Sequence, residues 1–166
     1  TKIILPVVGA CDYAMERLHK SGMQKMLNEL VLERKIPVLG ICVGMQMLAL
    51  SSEEGSLSGL GWVEGVVKKF DTSALQHGTL LPHMGWNNVN PKGNNKLFQG
   101  LDANSQFYFL HSYYFQCHND KDIIATTDYG GLFTSAVGVE SIYGVQFHPE
   151  KSHQWGIQLL KNFAEL

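Results

Sequence analysis

The chain opens on a short apolar run, Lys2-Ile3-Ile4-Leu5, stopped by Pro6, which is the pattern of a buried strand. Met15, Leu18, Met23, Met26, Leu27 and Leu30 then recur at near-helical spacing. That spacing predicts a helix over residues 12–34, bent at Gly22, with the methionine stripe as core packing. Pro37 to Ile41 reads as a second strand, and Met45 to Leu50 as the helix after it. Strand, helix, strand, helix predicts a parallel sheet covered on both faces.

After Ser51 the pattern changes. Trp62 to Phe70 reads as a strand, and residues 71–96 carry turn residues around His83-Met84-Gly85-Trp86-Asn87. Phe107 to Phe115 is one strongly aromatic strand. Ile123 to Thr127, Phe133 to Val139 and Tyr143 to Phe147 are short strands spaced closely enough to be antiparallel neighbours. Ser152 is the expected N-cap of a last helix carrying Trp155, Leu159, Leu160 and Phe163 on its apolar face. The expected fold is α/β and three-layer, with a mixed, mostly parallel sheet flanked by helices and an antiparallel section in the second half. No linker divides the chain, so residues 1–166 read as one domain.

Composition narrows the function classes. With 166 residues the chain can bury a sizeable core. A net charge of −2 gives no basic footprint for nucleic acid or an acidic membrane surface. Three cysteines at irregular spacing argue against a disulfide framework and for a reducing, cytoplasmic compartment. No apolar run approaches the roughly 20 residues of a membrane span, and no segment reads as a signal peptide. Nothing in the pattern calls for a metal or a cofactor.

The chemistry is concentrated in two stretches. Gly40-Ile41-Cys42-Val43-Gly44 joins an apolar strand to a helix, the layout of a nucleophile elbow with cysteine as the nucleophile. At a helix N-terminus the thiol is expected below its ordinary pKa of about 8.5. In Val145-Gln146-Phe147-His148-Pro149-Glu150, Pro149 biases His148 to an extended backbone. His148 and Glu150, two apart, then share a face. Cys42, His148 and Glu150 supply a nucleophile, a base and a group to orient the base.

Five motifs together resemble class I glutamine amidotransferases, in that family's order and over nearly the whole length. They are Gly40-Ile41-Cys42-Val43-Gly44-Met45-Gln46, Ser52-Glu53-Glu54-Gly55, Pro82-His83-Met84-Gly85-Trp86-Asn87, His111-Ser112-Tyr113-Tyr114 and His148-Pro149-Glu150-Lys151-Ser152. Within that class the chain looks most like glutaminase subunits of imidazole glycerol phosphate synthases. The resemblance implies hydrolysis of glutamine through a thioester on Cys42, with His148 as base and acid and Glu150 orienting it. It implies an oxyanion site made by Val43 and the Val8-Gly9 peptide, and glutamine contacts from Gln46, Glu54, His111, Ser112 and Tyr113. It implies a (β/α)₈ synthase partner that takes the ammonia, facing the surface His83-Met84-Gly85-Trp86-Asn87 and Lys151, with Trp86, Asn87 and Lys151 as the interface residues.

Two features depart from the family pattern. Pro6-Val7-Val8-Gly9 stands where the family has Pro-Gly-Val-Gly, and a β-branched residue resists any φ above zero. The strand-helix-strand unit that usually precedes the segment matching Lys2 is not in the sequence, so apolar sheet surface is expected to be exposed. Beside the glutaminase stand three other readings. They are a non-catalytic subunit that keeps the fold, a paralogue serving surface-sugar amidination, and a cysteine peptidase or γ-glutamyl hydrolase on a similar fold.

Overall fold

A computed structural model describes residues 1–75 and 78–166. The chain runs β1 (Ile3–Val7), α1 (Cys11–Ser21), α2 (Gln24–Asn28, continued by a π-helical turn Glu29–Glu33), β2 (Val38–Cys42) and α3 (Val43–Gln46). It continues with β3 (Ser51–Ser52), β4 (Gly65–Lys69), β5 (His83–Asn88), β6 (Asn90–Pro91), β7 (Gln106–His111) and β8 (Tyr113–Cys117). It ends with β9 (Ile123–Asp128), β10 (Leu132–Val139), β11 (Ile142–Val145) and α4 (His153–Glu165).

A nine-stranded mixed sheet follows the order β1-β2-β11-β10-β8-β4-β3, with β9 and β6 joined on beside β10. β1, β2 and β11 are parallel, and β10 is antiparallel to β11, β8 and β9. One face packs Leu39, Ile41 and Val145 against Leu159 and Phe163 of α4. The other packs Val38, Val67, Val137 and Ile142 against Leu27, Val31, Met45 and Leu48. The α/β class, the flanking helices and the antiparallel second half are as the sequence predicts.

Several elements differ from the sequence reading. β1 runs through Pro6 instead of stopping at it, because among the described residues β1 pairs only with β2, and an edge strand tolerates a missing N–H. It is also half-exposed, not buried, with Ile4 open to solvent, as is Val8 just after it. The long first helix breaks at Gly22, which takes a left-handed φ of 71° and closes α1. The helix after the elbow is one turn only, ending at Gln46 rather than Leu50. His83–Asn88 is a strand, not a turn region; the stretch 71–96 also contains residues 76 and 77, which lie outside the described residues. The aromatic run 107–115 is two strands, broken at Ser112, because β7 pairs with β5 in a separate two-stranded sheet while β8 joins the main sheet. Ser152 does occupy the N-cap of α4, but its hydroxyl caps nothing there. It donates to the His148 carbonyl at 2.6 Å and accepts from the Tyr108 N–H at 3.0 Å.

Candidate active site

β2 and β11 are neighbouring parallel strands, with Ile41 opposite Val145. Their carboxyl ends therefore deliver Cys42 and the segment Gln146–Glu150 to the same rim of the sheet, where open α/β folds place their sites. Cys42 sits at φ 54°, ψ −110°, a backbone conformation that costs a non-glycine residue on the order of 1–3 kcal/mol. Such strain is stored where the surroundings over-determine it. Here the two flanking glycines do so. A Cβ on Gly40 would lie 2.5 Å from the Gly44 carbonyl oxygen, and one on Gly44 would overlap the Leu5 carbonyl oxygen. The elbow thus needs hydrogen at both positions for the backbone to cross this closely.

His148 is buried, and its Nδ1 lies 2.7 Å from Glu150 Oε1, so the predicted pair forms. Its N–H donates to the Tyr108 carbonyl, which ties the segment to β7. Among the described residues no hydrogen bond joins the Cys42 sulfur to His148. The thiol points to the Leu110 carbonyl at 4.0 Å and receives the Gln146 side-chain N–H at 3.8 Å.

The thiol pKa departs from the sequence reading. Burial pushes Cys42 up to about 11, the Val43 N–H pulls it down, and the Glu150 and Glu54 charges push it further up. A single helical turn does not offset that desolvation. Above its ordinary value, the thiol is protonated at neutral pH and needs a base when substrate arrives. Alkylation of Cys42 by iodoacetamide, read site by site by mass spectrometry, is expected to rise about tenfold per pH unit through pH 9. A rate that levels off below pH 8 would overturn this.

A small cavity of about 80 Å³ opens beside the sulfur, lined by Gly9, Cys42, Val43, Gln46, Glu54, Leu110, His111, Ser112 and Tyr113. Every residue expected around the substrate is on that lining. Gly9, at φ 99°, supplies the positive φ in the 6–9 stretch. Val7 is an ordinary strand residue opposite Cys42, so valine meets no backbone conflict there. Val8 points its side chain outward and is not on the lining. Glu54 accepts the Cys11 N–H at 3.3 Å, which places its carboxylate near the first turn of α1. A second cavity, about 190 Å³ and lined in part by Phe70, Asp71, Leu75, Tyr114 and Phe133, has no cysteine or histidine on its lining. Among the described residues no group of His, Cys, Asp and Glu could hold a metal ion.

The expected interface residues divide. Trp86 is 44% exposed and stacks on His153 with ring centroids 5.3 Å apart. Lys151 is exposed, with its ammonium 5.8 Å from the centre of the Tyr108 ring. Asn87 turns its amide inward to His83 and to the Asp128 carbonyl. His83 is buried, not on the surface, because side chains on β5 alternate in and out. Met84 is exposed, as the sequence reading of that surface expects, and Leu110, which sequence reasoning missed, stands opposite it across β5 and β7 and is exposed too. Alternation along β7, where Phe107, Phe109 and His111 turn inward, was the signal that could have found Leu110. Gln146 was also missed; it follows Val145, which pairs with Ile41, and so brings its amide to the Cys42 sulfur, and only the pairing shows that.

The chain matches the family Glutamine amidotransferase class-I over residues 15–166. It is 55% identical over 166 residues to imidazole glycerol phosphate synthase subunit HisH of Leptospira interrogans, covering 100% of this chain and 81% of that protein. It is 56% identical to the subunit of the same name from Bdellovibrio bacteriovorus, with the same coverage, 100% and 81%. Among solved structures, a glutamine amidotransferase from Thermotoga maritima superposes with a TM-score of 0.63 at 20% identity, over 98% of this chain and 61% of that one. The glutaminase domain of Trypanosoma brucei CTPS superposes with a TM-score of 0.63 at 18% identity, over 99% and 71%. At these identities the structural likeness bears on the fold alone.

Proposed function

The chain belongs to the glutamine amidotransferase class-I family, and we propose that it is the glutaminase subunit of an imidazole glycerol phosphate synthase, acting in histidine biosynthesis. The observation that carries this reading is the strained Cys42 at the mouth of a cavity lined by Gln46, Glu54 and the 111–113 strand end, beside the His148–Glu150 pair. The names and identities of the two HisH relatives support it.

In this reading Cys42 attacks the side-chain amide carbon of glutamine, and His148 takes the thiol proton. The oxyanion that forms is met by backbone N–H groups of Val43 and the Val8-Gly9 peptide. The C–N bond then breaks, ammonia leaves with a proton from His148, and a cysteinyl thioester remains. Water, with His148 again as base, hydrolyses the thioester to glutamate and frees the thiol. Glu150 holds the imidazole throughout. In this reading a sulfur–imidazole hydrogen bond forms only when substrate displaces the thiol from Leu110, since such contacts are often made only in the complex. Glu54 is suited to the substrate's α-ammonium.

Ammonia in water near neutral pH is mostly protonated and not nucleophilic, so it must be handed on. The exposed Met84, Trp86 and Leu110, with Lys151 at the edge, form an apolar face suited to a synthase partner with a (β/α)₈ barrel, in a cytoplasmic heterodimer with lyase activity. Three free thiols fit that reducing compartment.

The test is incubation with 6-diazo-5-oxonorleucine, a glutamine-shaped electrophile, followed by an acceptor assay with the co-purified partner. Labelling at Cys42 and consumption of ammonia in imidazole-ring formation support the reading. An unmodified Cys42 in the presence of the partner, or ammonia consumed in sugar amidination, overturns it.

A further inference from the structure

His83 and His111 form a buried pair outside the catalytic groups already described. His83 Nδ1 and His111 Nε2 are 2.9 Å apart, and His111 Nδ1 lies 2.7 Å from the Tyr113 carbonyl oxygen. A carbonyl only accepts, so His111 carries its proton on Nδ1 and its Nε2 is an acceptor. His83 must then donate from Nδ1, which leaves its Nε2 as an acceptor too. The group facing that Nε2, at 3.2 Å, is the Asn87 Nδ2 amide, a donor. Asn87 is held that way round, since its other N–H goes to the Asp128 carbonyl and its oxygen accepts from the Asn88 N–H. Every link agrees on one direction.

The same Tyr113 carbonyl accepts a second bond, from Gln46 Nε2 at 3.4 Å. Gln46 also donates to Gln146 Oε1 at 3.0 Å, and Gln146 donates to the Cys42 sulfur. Two hydrogen-bonded arms therefore meet at one carbonyl on the cavity wall: one from the outer sheet, one from the nucleophile. His83 is clamped between Phe109 and Tyr129, with ring centroids at 4.6 Å and 3.9 Å.

We propose that His83 is a positioning residue for the substrate cavity. By donating from Nδ1 to His111 it fixes the His111 ring, and through it the Tyr113 carbonyl that Gln46 and the sulfur-bound Gln146 depend on. This rests on the glutaminase reading for its effect on substrate, though not for the hydrogen-bond direction itself. Burial supports it. It holds His83 down to about 4 and His111 down to about 3, so both rings are neutral at pH 7 and keep one donor and one acceptor each. A cation at either ring would supply a second donor facing a donor.

Two substitutions separate positioning from packing. An asparagine amide N–H falls where Nδ1–H stood, so His83→Asn keeps the bond to His111. A glutamine amide falls near Nε2, so His83→Gln loses it and leaves a buried acceptor unpaired. With the full chain bound to its synthase partner, His83→Gln is expected to raise the KM for glutamine about tenfold, with kcat within threefold. His83→Asn is expected to stay within threefold in both. Equal KM values for the two variants would overturn the proposal. Long-range ¹H–¹⁵N spectra of histidine-labelled wild-type protein test the direction without any activity. Both rings are expected as the Nδ1–H tautomer, and an Nε2–H tautomer on either one sinks the proposal. A wild type that shows Nδ1–H on both rings yet releases no glutamate keeps the hydrogen-bond chain and rejects the glutaminase reading instead.

Discussion

Cys42→Ala is expected to lower glutamine hydrolysis by about 10⁴-fold or more while the protein stays folded. Loss of the sulfur removes the bond-forming atom, and no other thiol can take its place: Cys11 is not on the cavity lining, and Cys117 lies on β8 in the register of Gly65, at the far end of the strand from Tyr113. The side chain removed is small and its polar contacts are long, 3.8 Å to Gln146 and 4.0 Å to Leu110, so little stability goes with it. Steady-state glutamate release with the partner present is the measurement, with circular dichroism to confirm folding. Activity within tenfold of the wild type would mean that Cys42 is a core residue on a strained turn and not a nucleophile.

Gly44→Ala is expected to act on stability rather than chemistry. The added methyl would overlap the Leu5 carbonyl oxygen and press on the Leu5 Cβ at 3.2 Å. Leu5 is held in the β1–β2 ladder opposite Gly40, so the strand cannot move aside alone. Overpacking against backbone costs more than overpacking against a flexible side chain. A loss of about 3 kcal/mol is expected, which at this chain length lowers Tm by about 10 °C. Gly78→Ala is the control. Its Cβ would meet nothing within 4 Å, and only its φ of 89° is strained. Differential scanning calorimetry on both variants decides it, and a Gly44→Ala protein as stable as the wild type would show that the elbow does not need this close crossing.

The candidate catalytic residues and their spacing were legible because each is a local pattern. G-x-C-x-G carries its own turn, and His148 and Glu150 are two apart on an extended segment. Less legible were elements whose identity depends on a distant partner. Residues 83–88 hold Gly85 at φ 121° and two asparagines, poor strand formers, yet they form a strand because β7 presents a matching edge. The aromatic run 107–115 read as a single strand, and nothing in its side chains marks Ser112 as the point where it leaves one sheet for another. The Ser152 hydroxyl occupies a capping position and is diverted to His148 and Tyr108, a competition that local preference cannot foresee.

The thiol pKa is the clearest case. A helix N-terminus and a nearby histidine, read along the chain, point downward, whereas burial among β1, β7 and the residues after β11 raises it to about 11. By itself the sequence determined the α/β class, the elbow turn at Cys42 and the pairing of His148 with Glu150, all of which follow from residues within a few positions of one another. Only the tertiary structure decided which groups meet at the Tyr113 carbonyl, which way each histidine points its proton, and how far the sulfur is removed from water. Those properties are set by contacts between residues tens of positions apart and by solvent exclusion, neither of which leaves a periodic trace in a chain of amino acids.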